Sequence, residues 1–260
     1  MLVLGIVCEV MQRFLSLIIP IGLLLAWWLT TTYGHIPAIL LPSPEAVWLA
    51  FVNLWQSGDL WTHIGMSAMR TLTGFLLATV VGIGCGVWFA VRPMAGWTAH
   101  LVVEALRLTP PLALIPVLIL WLGIDEAPKI AIVFLSSFFP IYLSALTAVK
   151  SLDPKLNEVA TLLNFTPAER FRMVMLPGAM PGILAGLRMG FGYSWRALVG
   201  AELIAASSGL GFLITESSEF GKTDVVFVGI ITIVVLGIVA DALIGWLVNV
   251  LTRKLMGGAA

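Results

Sequence analysis

Six stretches of this sequence, at about 14–33, 62–91, 95–122, 127–149, 178–205 and 225–251, are each about 20 residues or longer and carry very few charges. No other property restricts the chain as severely. Inside a bilayer every backbone N–H and C=O must be satisfied internally, which leaves helices or a closed barrel. The runs are continuous rather than alternating in ten-residue pieces, so they read as helices. Across all 260 residues, 60% are hydrophobic, only 11% are charged, and mean hydropathy is +1.04. The expected fold class is all-α: a polytopic membrane protein of about six transmembrane helices, in one domain over residues 1–260 with a core at about 62–251. The opening segment, before residue 14, has no basic stretch ahead of its apolar run and no A-x-A site, so it reads as a lead-in to a retained helix. Residues 42–57 are too short and amphipathic to span. Ser43 is placed to cap a helix there, Pro44 suits its first position, and Trp48 and Trp55 suit a membrane interface.

The Lys/Arg distribution orients the spans. With the N-terminus inside, Arg13, Arg92, Lys150, Lys155, Arg170, Arg172, Arg253 and Lys254 fall on inner ends and loops, against Lys129 and Lys222 outside. Both termini are therefore expected in the cytoplasm. Net charge is zero, so no nucleic-acid partner is indicated. Cys8 and Cys85 lie far apart in apolar sequence and suggest neither a disulfide nor a metal framework.

One polar stretch interrupts the second half of the chain on the cytoplasmic side. Asp153-Pro154 reads as an N-cap with proline at the first helical position, and the helix runs to about Leu163. A turn is expected at Asn164-Phe165. Thr166-Pro167-Ala168-Glu169 then reads as a capping box opening a second short helix that ends before Pro177. Leu156, Val159, Ala160, Leu163 and Phe165 place apolar groups among the charges. Two short helices of this kind can pack under their own bundle or present a surface to a partner.

The stretch resembles the cytoplasmic loop of bacterial ABC importer permeases, with consensus EAA-x3-G-x9-I-x-LP. Glu158-Val159-Ala160, Asn164, Val174 and Leu176-Pro177 stand at matching spacing, with Val159, Asn164 and Val174 as departures. Asn164 still tolerates the left-handed conformation a glycine would supply. PPLALIPVLILWLGIDEAPKI (110–130), LPGAMPGILAGLRMGFGYSW (176–195), GAELIAASSGLGFLI (200–214) and TDVV (223–226) are similar to the nitrate, sulfonate and taurine branch, nearest to its aliphatic sulfonate and taurine permeases. The resemblance implies the type I permease fold in a bacterial inner membrane. It also implies a second permease copy, a periplasmic binding protein, and a separate cytoplasmic ATPase dimer that binds ATP and magnesium. The implied ATPase-coupling residues are Leu156, Glu158, Val159, Ala160, Leu163, Asn164, Phe165, Thr166 and Pro167, within coupling helices at about 153–176. Leu156, Val159, Ala160, Leu163 and Phe165 would enter a groove on the ATPase, with Glu158 on its rim.

Charges at bilayer depth are costly and therefore informative. Glu104 and Arg107 are spaced to pair on one helical face, just before the helix breaks at Thr109-Pro110-Pro111. At about 1.5 Å per residue, Arg107 lies roughly 18 Å from the inner end of its span. The translocation path is expected to draw on Glu104, Arg107, Pro110, Pro111, Trp195, Arg196 and Glu202. Arg107 and Arg196 are the candidate partners of an anionic substrate. The other reading pairs Arg107, Arg188 and Arg196 with Glu104, Glu202 or Asp241 to hold helices together, and assigns Arg70 and Asp241 to structure. Gly178, Gly182, Gly186 and Gly190 form a small-residue stripe for close helix packing, at a subunit interface, at the pore or within the chain; Gly82 and Gly86 do the same in the second span. Residues 207–224 read as an outer loop with a short helix.

Gly221-Lys222-Thr223 lacks the glycine a phosphate loop needs, since position 216 is Glu216. Asn164-Phe165-Thr166 fits a glycosylation acceptor but is assigned to the cytoplasm. His35, His63 and His100 are scattered, no metal set is expected, and no catalytic triad is visible. The chain reads as a permease, not an enzyme. The competing class is a self-sufficient, ion-coupled carrier of a small organic anion, which would call for internal repeats that are not evident.

Overall fold

The computed structural model describes residues 2–34 and 36–256. Among them the chain is helical throughout, with no strand. Its helices are α1 (Leu2–Tyr33), α2 (Pro44–Ser57), α3 (Asp59–Val91), α4 (Pro93–Leu108), α5 (Ile115–Leu122), α6 (Ala127–Lys150), α7 (Pro154–Leu162), α8 (Pro167–Glu169), α9 (Leu176–Ala205), α10 (Leu210–Glu219) and α11 (Thr223–Met256). A 3-10 turn, Pro111–Leu114, precedes α5, and a π-helical stretch, Arg170–Met175, joins α8 to α9.

Among the described residues α3, α6, the run containing α9, and α11 are long and apolar enough to cross a membrane. The pair α4–α5 makes a fifth candidate, bent by 92° at its break. The break falls at Thr109-Pro110-Pro111, where two residues without N–H interrupt the helical ladder. Ile18–Tyr33 of α1 is a shorter apolar helix. Five of the six stretches read from the sequence fall on these candidate spans, and the first, 14–33, falls on α1, whose described apolar part is shorter than the others.

The chain packs as two compact units, one built from residues up to Trp61 with Leu213–Ile231, the other from Thr62–Phe212 with residues from Thr232 on. In the first unit, the Ser43 side chain caps α2 by accepting from the Ala46 N–H at 3.2 Å, and Gly58 closes the helix at φ +85°. The Trp27 indole donates to the Pro42 carbonyl at 3.0 Å and stacks on Phe227, while Thr223 donates to the Ile39 carbonyl at 2.7 Å.

The second unit is organised around α6. Ile132, Val133 and Ala145 are fully buried, and α6 runs against α9 over most of its length. Small residues permit the approach on both sides. A Cβ added at Gly182 of α9 would lie 2.6 Å from the Ala148 Cβ, and one at Gly190 would lie 2.6 Å from Ile141. On the α3 side, a Cβ at Gly86 would lie 2.6 Å from the Tyr142 carbonyl oxygen. Gly178 and Gly186 face Leu152 and Ser144 in the same way. The stripe on α9 thus packs within the chain, against α6. Cys85 is a free, half-buried thiol; the side chain of Cys8 lies outside the described residues.

Replacing Gly86 with leucine is expected to destabilise the detergent-solubilised protein by about 1–3 kcal/mol through overpacking. Gly84, with nothing within 4 Å of its would-be Cβ, is the control. A thermal melt in which G86L and G84L behave alike would contradict the packing argument.

Candidate functional site

The segment from Asp153 to Met175 builds itself from local signals. Asp153 accepts from the Lys155 N–H at 2.9 Å and Pro154 opens α7. The helix closes by a Schellman pattern: Phe165 N–H donates to the Ala160 carbonyl and Asn164 N–H to that of Thr161, both at 3.0 Å. That closure puts Asn164 at φ +55°, the one non-glycine residue with positive φ among those described. Thr166 and Glu169 form the full capping box, with the Thr166 N–H to the Glu169 carboxylate at 2.8 Å and the Glu169 N–H to the Thr166 hydroxyl at 3.3 Å. Across the turn, Arg170 donates to the Thr161 hydroxyl at 2.8 Å, tying α7 to the π-helical stretch.

Two expectations need correction here. The second helix does not end before Pro177. It passes through the π-helical stretch straight into α9, and Pro177 sits in the first turn of that helix. The Leu176 N–H reaches back to the Phe171 carbonyl, a π register that opens the ladder where the proline removes a donor and crowds a carbonyl. Ala160 does not belong to the exposed apolar stripe, because it is fully buried and faces the protein. Leu156, Val159 and Leu163 are exposed, and so is Leu162, at 80%, which the sequence reading passed over. Its signal was its place three residues after Val159. Phe165 is half-buried, Pro167 follows at the helix start, and Glu158 is exposed and enters no ion pair among the described residues.

A second constellation lies in the core of the same unit. Arg70 of α3 is fully buried, and its five N–H groups are all used. Nε donates to Glu126. Nη2 donates to Glu126 at 2.9 Å and to the Ser208 hydroxyl at 2.9 Å; Nη1 donates to Glu202 at 2.7 Å and to the Ser208 carbonyl at 2.6 Å. Glu202 also accepts from the Ser67 hydroxyl at 2.9 Å and the Gly211 N–H at 3.0 Å. Lys129 reaches Glu126 at 3.0 Å, and the Gly209 N–H donates to His63 Nδ1 at 3.0 Å. Gly209 has φ +112°, and any Cβ there would collide with the Arg70–Glu202 pair. Glu202, expected on the translocation path, is instead 1% exposed and held in this network. Its distance in sequence from Arg70 gave no sign of the pairing.

The remaining intramembrane charges separate into two classes. Arg107 pairs with Glu104 at 2.7 Å beside the Pro110-Pro111 break, and Arg188 pairs with Asp241 at 2.7 Å; all four are exposed or nearly so. Arg196 is exposed, donates Nε to the Gly192 carbonyl at 2.9 Å and lies 5.2 Å over the Tyr193 ring. It meets no carboxylate among the described residues. Trp195 packs against α11, where a Cβ at Gly237 would lie 2.8 Å from the indole nitrogen.

A family model described as "Binding-protein-dependent transport system inner membrane component" matches residues 78–253. The chain belongs to that family. It is a permease with the fold of ABC importer permeases. Over 226 residues it is 39% identical to SsuC, an aliphatic sulfonates transport permease protein of Escherichia coli (strain K12), covering 86% of this chain and 85% of that protein. It is 36% identical to the taurine transport system permease protein TauC of the same organism, over 84% of this chain and 82% of TauC. The nitrate import permease protein NrtB of Leptolyngbya laminosa is 28% identical over 75% of this chain and 69% of NrtB. Among solved structures, the inward-facing MetNI methionine ABC transporter shares the fold at TM-score 0.59, over 82% of this chain and 99% of that one, with 21% identity.

For the permease, the Arg70 guanidinium, helped by Lys129 and opposed by burial, holds the Glu126 carboxyl at about 2. That value lies below the ordinary carboxylate range, so the stabilisation is whole above about pH 5 and fades as pH falls toward 2. The melting temperature of the solubilised permease is expected to drop across that window, and E126Q to flatten the drop; an unchanged pH profile in E126Q would contradict it. At the turn, N164G is expected to fold normally, while N164V costs about 1–2 kcal/mol because a β-branched residue is forced to positive φ. Equal melting of the two variants would show that the left-handed turn is not required.

Proposed function

We propose that the permease carries a small organic anion of the aliphatic sulfonate or taurine kind, with nitrate as the other anion of the same branch, across a bacterial inner membrane. The observation that carries this reading is the similarity to SsuC and TauC over more than four-fifths of the chain. Arg196 supports it from the structure, as an exposed guanidinium on α9 that meets no carboxylate among the described residues. Arg107, paired with Glu104 beside the Pro110-Pro111 break, is the second candidate, and Trp195 on α9 is a further candidate for the path. A periplasmic binding protein delivers the anion. A second copy of the permease completes the path, and a separate cytoplasmic ATPase dimer supplies the work, with both permease termini in the cytoplasm.

The ATPase docks on α7. Leu156, Val159, Leu162 and Leu163 give the apolar face that a helix-in-groove contact requires, and Glu158 stands at its rim. Asn164, Phe165, Thr166 and Pro167 form a stiff elbow rather than a docking surface. Arg170 and the uninterrupted run from α8 into α9 then carry displacement of α7 toward Arg196.

Reconstitution tests the reading. The permease would be combined in proteoliposomes with the ATPase and binding protein encoded beside it. ATP-dependent uptake of an alkanesulfonate or taurine is expected, R196A is expected to slow it about tenfold or more through loss of a charge-assisted contact, and E158A and L162A are expected to weaken ATPase binding. Uptake by the permease alone would contradict the importer reading and favour an ion-coupled carrier.

A further inference from the structure

A concave pocket lies at the end of the second unit that bears α7. Its walls come from the last turns of α3, the first half of α4 and the last turns of α6. Its volume is about 480 Å³, and Phe89, Trp97, His100, Tyr142, Leu146 and Lys150 are among its lining residues. That volume falls in the range of small-molecule sites. The walls are aromatic: Phe89 stands edge-on to Tyr142 at 5.9 Å, and Trp97 is 85% exposed. Two basic side chains line the same space. Lys150 and His100 are both exposed, and neither enters an ion pair among the described residues. Glu104, one turn along α4 from His100, is the nearby carboxylate, and Arg107 holds it at 2.7 Å.

Tryptophan and lysine are common at membrane interfaces. Here, however, they stand at one hollow with a rigid aromatic floor, instead of being spread over a convex rim. A cation recognises an oxyanion, and aromatic walls recognise an apolar body. From the residues that line this pocket, we infer that it is a binding site for an amphiphilic oxyanion: a sulfonate or phosphate head at Lys150 and His100, with its apolar portion against Phe89, Trp97 and Tyr142. Two sources present this chemistry, a free alkyl sulfonate and an anionic phospholipid, whose head groups meet basic pockets between helices. Arg196 is not among the residues that line it, and the assignment does not depend on which solute is transported. Bound ligand would bridge α4 to the end of α6, four residues before Pro154 opens α7.

The test uses the assembled, delipidated complex without ATP, so that it reads binding and not transport. One arm titrates 1-octanesulfonate into complex held in phosphatidylcholine nanodiscs. The other follows retention of dioleoylphosphatidylglycerol against dioleoylphosphatidylcholine by native mass spectrometry. Saturable binding of at least one anionic probe is expected, weakened about tenfold in K150Q/H100Q as charge-assisted contacts are lost. W97A, which keeps both charges, is expected to weaken it as well, while R253Q leaves it unchanged. Which probe binds identifies the source. Absence of binding by both probes, equal binding of the neutral lipid, or unchanged affinity in a K150Q/H100Q complex that still assembles and melts normally would overturn the assignment.

Discussion

A buried guanidinium, Arg70, holds the second unit together. It is fully buried in the first half of α3, where an unpaired charge would cost several kcal/mol. It is tolerated because every N–H finds an acceptor, and those acceptors come from three other places in the chain: Glu126 before α6, Glu202 on α9, and Ser208 in the turn after α9. Small-residue packing against α6 brings the helices close. The guanidinium network adds directional constraints on their register, because planar donors accept few arrangements of partners. It also fixes the turn after α9, since Ser67 and His63 take up the Leu210 and Gly209 N–H groups.

With one end of α9 held by this network, the other end is available to move with α7. The elbow between them has little freedom. A Schellman closure, a capping box and the Arg170–Thr161 contact occupy most of the polar groups between residues 160 and 170. The π-helical stretch then replaces the break that a proline ordinarily makes. Beyond the turn at Asn164, α8, the π-helical stretch and α9 form one continuous helical run, tied to α7 by the Arg170–Thr161 contact. The exposed apolar face of α7 is the surface on which a partner would act.

Much of this was legible in the sequence because it depends on neighbours within a few residues. Ser43-Pro44, Asp153-Pro154 and Thr166–Glu169 are caps whose partners lie within three positions, and each forms as read. The proline pair at 110–111 bends its helix where expected, and the Glu104–Arg107 pair closes at i,i+3. The misses have a common cause. Glu202 looked like a path residue because its partner is 132 positions away, and Ala160 looked exposed because α7 was read without the surface it rests on. Pro177 stands at the start of the fifth span as read, but the π register that joins the two helices without a break cannot be inferred from a proline alone. The glycines on α9 were recognised as packing residues, but only the structure shows that α6 is what they pack against.

The most direct test of the account is a double-mutant cycle between Arg70 and Glu202, measured by unfolding of the solubilised permease. R70Q leaves the buried Glu202 carboxylate without its cation and is expected to cost about 3–5 kcal/mol, whereas E202Q leaves Arg70 with Glu126 as its remaining carboxylate and is expected to cost less. The double variant should cost less than the sum of the two, with a coupling on the order of 1–3 kcal/mol. Additive losses would contradict the claim that this pair sets the register of the helices.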